Sequence, residues 1–167
     1  MTKWGTGIAN NFDKWQYDAG LYYHVVDDKI WPRGIEYQVR YDHTQNRSHT
    51  GDFIGPKLDW YTQDGETYAP LSEGGTKILQ KGGMRRFAKK DVPYHALDGA
   101  WNQCEVIVMG NKYAIHKLNG EIVNVGENLA FSEGILGLQS ETAEIFYRNL
   151  EIKEFDKDIP IEVFLEK

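Results

Sequence analysis

One cysteine, Cys104, is the whole thiol content of the 167 residues, so the fold contains no intrachain disulfide and no multi-cysteine metal site. It sits in "WNQCEVIVMG", where it reads as a small apolar strand residue. Long apolar runs are also missing. A membrane helix needs roughly 20 consecutive apolar residues, and nothing here approaches that; "MTKWGTGIANNF" has no charged-then-apolar pattern either. The reading is a soluble chain with no membrane span. Basic excess is lacking too: 19 Lys and Arg stand against 25 Asp and Glu, a net charge of −6. Binding to a phosphate backbone draws on a basic footprint, so nucleic acid is not an expected partner. The one basic concentration, from Lys81 to Lys90, has a single aromatic, Phe87, and reads as a solvated loop. No segment of a dozen residues carries a helical stripe, and there is no internal repeat.

What the chain has is aromatic side chains, 10 Tyr, 5 Trp and 7 Phe, and a two-residue period. Both favour strands. "GLYYHVV" (20–26), "GIEYQVRY" (34–41), "WNQCEVIVM" (101–109), "KYAIHKL" (112–118), "EIVNV" (121–125), "GILGLQ" (134–139) and "EIFYRNLEIKEF" (144–155) read as strands. Gly110-Asn111 and Asn119-Gly120 join three of them into an antiparallel meander. Residues 51–100 read as long loops around strand fragments at "LDWYT" and "GTKILQ". "DKDIPIEVFLEK" reads either as an edge strand after Pro160 or as a C-terminal extension. The fold class is all-β, a two-sheet sandwich in one domain spanning 1–167.

In "WPRGIEYQVRYD", alternation sends Ile35, Tyr37, Val39 and Tyr41 to one face and Glu36, Gln38 and Arg40 to the other. An acid, an amide and a guanidinium side by side suit hydroxyls, although the residues alone leave a merely wet face open. The next loop, "YDHTQNRSHTGDF", adds Asp42, His43, His49 and Asp52, more acid and base than a connection requires. The six-residue separation of His43 and His49 matches no zinc spacing. His24 reads equally as a core-edge histidine held by a backbone carbonyl or as a catalytic one. His116 reads as structural, and Arg148, on the parity of Phe146, Leu150 and Ile152, as a buried arginine paired with Glu141 or Glu144. A retaining glycosidase needs two carboxyl groups about 5–5.5 Å apart, but two residues beyond Glu36 stands Gln38. Two-carboxylate hydrolysis is therefore disfavoured from a single strand, and a pair drawn from different strands stays open.

"DAGLYYHVVDDKIWPRGIEYQ", "TGDF", "GAWNQCEVIVMGNKYAIHKLNGEIV" and "GILGLQSETAEIFYRNLEIKEF", in this order, resemble the 3-keto-disaccharide hydrolase family from about residue 18 to 155. The resemblance implies a concanavalin A-like jelly roll and oxidised (3-keto) oligosaccharides or glycosides as substrates. It implies cleavage by β-elimination followed by hydration: the C3 ketone acidifies the C2 proton, so one base suffices. Carried over by position, Glu36, His24 and Asp52 supply base, acid and orientation, with the roles unassigned among them. Gln38, Arg40 and Gln139 hold hydroxyls or the enolate oxygen, and a divalent metal could replace the cationic donors. A non-catalytic carbohydrate-binding module on the same sandwich is the alternative, with aromatics such as Trp31 and Trp60 stacking on the sugar. The family's early strands are not recognisable in "MTKWGTGIANNFDKWQY". The expectation is therefore an N-terminally incomplete sandwich: a fragment, a mis-started reading frame, or a fold completed by "IPIEVFLEK" or by a second subunit in a homo-oligomer. The resemblance implies a periplasmic or secreted location where a signal segment precedes.

Overall fold

The computed structural model describes residues 17–141 and 144–165. Most of the expectation for 1–17 thus lies outside the described residues. Alternating apolar residues from Tyr17–Val25 (β1) and Ile35–Asp42 (β2) build the first sheet, with Arg47–Ser48 (β3), Phe53–Ile54 (β4), Arg85–Arg86 (β7) and Ile135–Ser140 (β11). Its order is β11-β1-β2-β4-β7, with β3 beside β2. Leu58–Thr62 (β5), Thr76–Lys81 (β6), Cys104–Met109 (β8), Tyr113–Leu118 (β9) and Glu121–Glu127 (β10) form the second, ordered β6-β5-β10-β9-β8. All of these strand pairings are antiparallel, and the two sheets make the jelly-roll sandwich that the periodicity implies.

Tyr23, Ile35, Tyr37, Phe53, Leu58, Trp60, Ile115 and Val125 fill the space between the sheets. The core is also wired. His116 bonds the Tyr23 hydroxyl at 2.9 Å and the Gly51 carbonyl at 2.8 Å, and Phe53 stacks on its ring at 3.8 Å. Burial lowers the imidazole pKa to about 3, so the ring is neutral and structural, as its apolar neighbours suggest. Trp60 Nε1 donates to Asn124 Oδ1 at 2.8 Å, and the Asn124 amide reaches the Gly51 and Arg86 carbonyls.

Three expectations change: the solvated Arg86, the strand at 144–155 and the buried Arg148. Arg86, inside the supposed solvated loop, is fully buried, and its guanidinium donates to the carbonyls of Gly55, Pro56 and Gly83. Three carbonyls converging on one cation let a strand terminus accept a charge that composition assigns to solvent. The segment 144–155 is not a strand. It joins no ladder of the described residues, and Phe146, Leu150 and Ile152 are 69%, 69% and 76% exposed. Alternation specifies a strand only where an edge supplies the matching register, and among the described residues none does. Arg148 is accordingly exposed, its guanidinium 4.0 Å from the centre of the Trp101 ring. After Pro160 the chain forms a helical turn, Glu162–Leu165 (α1), whose Phe164 packs back on the core with Ile159 and Ile161. Of the two hairpin turns, Asn119-Gly120 has both residues at positive φ; at Gly110-Asn111 only the glycine does, and Lys112 N–H closes the turn on Met109.

Candidate functional site

Register assembles one polar face on the first sheet. Asp18 stands opposite Arg40, Gly20 opposite Gln38, and Tyr22 opposite Glu36, while Gln139 of β11 flanks Gly20 on the other side. Directly opposed residues share a face, so the array Glu36, Gln38 and Arg40 meets Asp18, Tyr22 and Gln139 there. Across β4, Ile54 carries the same face to Arg85.

Gly20 shapes the centre. A Cβ built on it would lie 1.9 Å from Glu36 Oε1, so the carboxylate rests where a side chain would stand. Gln139 Nε2 donates to that oxygen at 2.8 Å, and the Tyr22 hydroxyl bonds the same carboxylate. Glu36 is only 3% exposed; burial raises its pKa against these two hydrogen bonds. The Gln38 amide donates to Asp18 Oδ1 and, at 3.2 Å, to the Ala19 carbonyl. Arg40 Nε lies 3.8 Å from Asp18 Oδ2, an ion-pair separation too long for a hydrogen bond. Arg40 is 8% exposed, and its Nε and Nη1 are buried with no hydrogen-bond partner among the described residues. Burial, with Arg85 nearby, lowers its pKa.

Asp18 is the most perturbed acid. Burial, then Glu141 and Glu36, raise its pKa to about 7 despite Arg40 and Arg85. Burial also raises Glu141, against the pull of Arg85 and Arg40. Three carboxyl groups drawn from different strands and their ends thus face two guanidiniums.

The other candidate residues fall around this face. His24 sits at a bulge where the β1–β11 register shifts, with φ at 53°; its Nδ1 bonds the Phe131 carbonyl at 3.1 Å. Burial lowers its pKa. The bulge breaks the alternation of β1, so strand parity does not decide which way His24 faces. Asp52 is fully buried: Oδ2 meets His49 Nδ1 at 3.0 Å and Oδ1 accepts the Ala88 N–H, while its carbonyl accepts the Gln38 N–H at 3.1 Å. Asp42 closes a turn on Thr44 and Gln45. Trp31 lies 62% exposed between β1 and β2, but Trp60 is 0% exposed in the core and offers no sugar platform. Strand parity alone could not tell Trp60's face from its neighbour's.

Asp18, Tyr22 and Arg85 join the face without having been singled out in the sequence, as does Glu141, which the sequence offered only as a partner for Arg148. Asp18 and Tyr22 had a signal, the two-residue spacing through Gly20. Arg85 and Glu141 had none, because long-range pairing brings them in. Among the described residues no group of three His, Cys, Asp or Glu has a metal-holding arrangement, and no helix is long and apolar enough to cross a membrane. Two open clefts of about 300 and 360 Å³ lie away from this face, around Lys89 and Asp91. They are lined by surface ion pairs and turn residues and present none of the face's unpartnered donors.

A family model described as a 3-keto-alpha-glucoside-1,2-lyase-like domain matches residues 3–153. The chain belongs to this family. The match takes in the face from Asp18 to Glu141 and extends the resemblance read from about residue 18 back to residue 3. No curated protein and no solved structure matches the chain. The 3-keto-alpha-glucoside-1,2-lyase-like family points to carbohydrate as the ligand class and to glycoside cleavage as the family's chemistry.

Proposed function

We propose that the chain cleaves the glycosidic bond of 3-keto-glycosides by β-elimination and hydration on the outer face of the first sheet. One observation carries the reading: a buried carboxyl, Glu36, lies over the bare Cα of Gly20 on the same face as Arg40, two of whose buried donors lack hydrogen-bond partners among the described residues. Such a reaction needs a base for the C2 proton and a donor for the oxygen on which charge develops.

In this reading Glu36 takes the C2 proton, the C2–H electrons form the enolate, and Arg40 holds the C3 oxygen. Reformation of the ketone expels the C1 glycosidic oxygen, which leaves with a proton from Glu141, whose pKa burial raises. Water then adds to C1 of the enone while C2 is reprotonated, so the net change is hydrolysis. Gln38 and Gln139 hold hydroxyls. Asp52 orients β2 through its carbonyl on the Gln38 N–H, and His24 braces the loop at Phe131.

A proton NMR time course with a 3-keto-glucoside and its unoxidised parent tests this. Consumption of the keto sugar alone supports elimination; a folded chain that leaves both intact rejects it. Exposed Trp31 supports a second reading, a carbohydrate-binding module. In that case Trp31→Ala weakens sugar binding more than Glu36→Gln does.

A further inference from the structure

We propose that Asp18 is a positioning residue of this site, whose proton decides whether the Arg40 guanidinium is open to a ligand oxygen or drawn into an ion pair. The inference rests on the proposed function and names the substrate feature the face would read.

Both donor directions of the Gln38 amide are committed, to Asp18 Oδ1 and the Ala19 carbonyl, which leaves its carbonyl oxygen as an acceptor. One strand position pair along, Arg40 offers only donors, two of them buried and unpartnered among the described residues. Burying a charged donor without an acceptor is costly, and these donors lie beside the carboxyls that a bound ligand would meet. Acceptor beside donor matches a hydroxyl next to a ketone. The adjacent C4 hydroxyl and C3 oxygen of a 3-keto sugar present that pair, the hydroxyl to Gln38 and the ketone, or the enolate formed from it, to Arg40.

Asp18 touches both partners and so sets the sense of the pair. At 3.8 Å its Oδ2 is near enough to attract Arg40 Nε without binding it. Protonated, Asp18 leaves the guanidinium to the ligand; ionised, it competes for it. Among the described residues the charged and titratable groups facing the pair are Glu36 and Tyr22 from β2 and β1, Arg85 from β7 and Glu141 after β11, with Asp42 and Asp52 acting on Arg40. The raised pKa of Asp18, about 7, puts the change at neutral pH.

Two measurements test this. Carboxyl carbon NMR of the aspartate-labelled chain, with Asp18 assigned by difference from Asp18→Asn, reads the coupling without substrate. The expected midpoint is near neutrality, moving up by about one pH unit in Arg40→Gln as the opposing cation is lost. A midpoint below about 5, or none of this movement, overturns the proposal. The pH profile of kcat/KM on a 3-keto-glucoside gives the second reading. The wild type should lose about tenfold per unit above the Asp18 midpoint, and Asp18→Asn should flatten that limb. A limb unchanged in Asp18→Asn overturns the proposal. If Asp18→Asn fails to fold, Asp18 is assigned by its response to Arg40→Gln and the titration alone decides. A wild type inert on the keto sugar refutes the proposed function, and the titration then judges the Asp18–Arg40 coupling by itself.

Discussion

The face around Asp18, Glu36 and Arg40 and the cluster around Asp59, Lys77 and Glu127 are built from the same chemistry and wired in opposite senses. In the second cluster each charge has a partner. Asp59 accepts the Gln80 N–H at 2.8 Å and the Asn128 amide at 2.6 Å, while Lys77 reaches Glu127 at 2.8 Å and lies over the Tyr61 ring. Burial works against Asp59, yet those hydrogen bonds hold its pKa below the usual carboxylate range, and the Glu127 bond raises Lys77. In the first cluster Asp18, Glu36 and Glu141 all move up, Arg40 moves down, and two of its donors go unmet among the described residues. One cluster favours its charged forms and stabilises the sandwich. The other disfavours them, which is the state a reactive or binding site is held in.

Breaking the contrast at its centre should have the largest effect. Glu36→Gln keeps the size and the Gln139 neighbour but removes the base, and kcat on a 3-keto-glucoside should fall by at least about 100-fold with the fold intact. Unchanged turnover would take Glu36 out of the mechanism. Gly20→Ala leaves every charge in place and moves one. The new methyl group would occupy the Glu36 carboxylate position, and a displacement of about 1 Å costs on the order of 100-fold in rate. Because the displaced atoms end a flexible side chain, thermal stability should move by only about 1 kcal/mol. A variant that melts early while keeping its rate would mean that Gly20 serves packing rather than the carboxylate.

The paired cluster should respond the other way. Asp59→Ala strands the Gln80 N–H and the Asn128 amide and leaves Lys77 with Glu127 alone, a loss of about 2–3 kcal/mol in denaturant unfolding. Turnover of folded Asp59→Ala should match the wild type. A lost rate there would tie the second sheet's outer face to the site.

How much of this the sequence discloses follows from range. Alternation within β2 is local, so Glu36, Gln38 and Arg40 are legible as one face from the order of the residues alone. The meander from β8 to β10 is legible for the same reason, its turns being set by Gly and Asn. Arg86 is not, because its acceptors come from Gly55, Pro56 and Gly83, and composition sees only a basic loop. Trp60 and Trp31 look alike in sequence; only the β5–β10 pairing buries one of them. His24 stays open between its two readings in the sequence because a bulge shifts the parity of β1; the structure holds it at the core edge by the Phe131 carbonyl, a partner more than a hundred residues away. Residues 144–155 carry a strand's alternation without a partner's register, and alternation cannot report whether an edge is there to receive it.

The smallest expected effect is also the one that separates the two clusters most directly, because their stability should run with pH in opposite directions. Asp18's folded pKa is raised, from 3.8 to about 7. The folded chain therefore holds a proton that the unfolded chain has released. The stability this gives is complete below pH 3.8 and is lost as pH rises through about 7. Asp59's is depressed, so its contribution is present above 3.8 and is lost as pH falls through its folded value. Asp18→Asn, which cannot ionise, should be no more stable than the wild type at pH 4 and more stable at pH 8. The gain should be on the order of 1–2 kcal/mol, less than a rise from 3.8 to about 7 allows because Asn must replace the carboxyl's bond to Gln38. Asp59→Asn should show its deficit at pH 8 and lose it toward pH 3. Chemical denaturation of both variants across that range reads the two slopes. A difference between Asp18→Asn and the wild type that stays the same at every pH would mean that Asp18 ionises in the folded chain as easily as in water, and that the face is wet rather than poised; a slope parallel to that of Asp59→Asn would mean that it ionises more easily still.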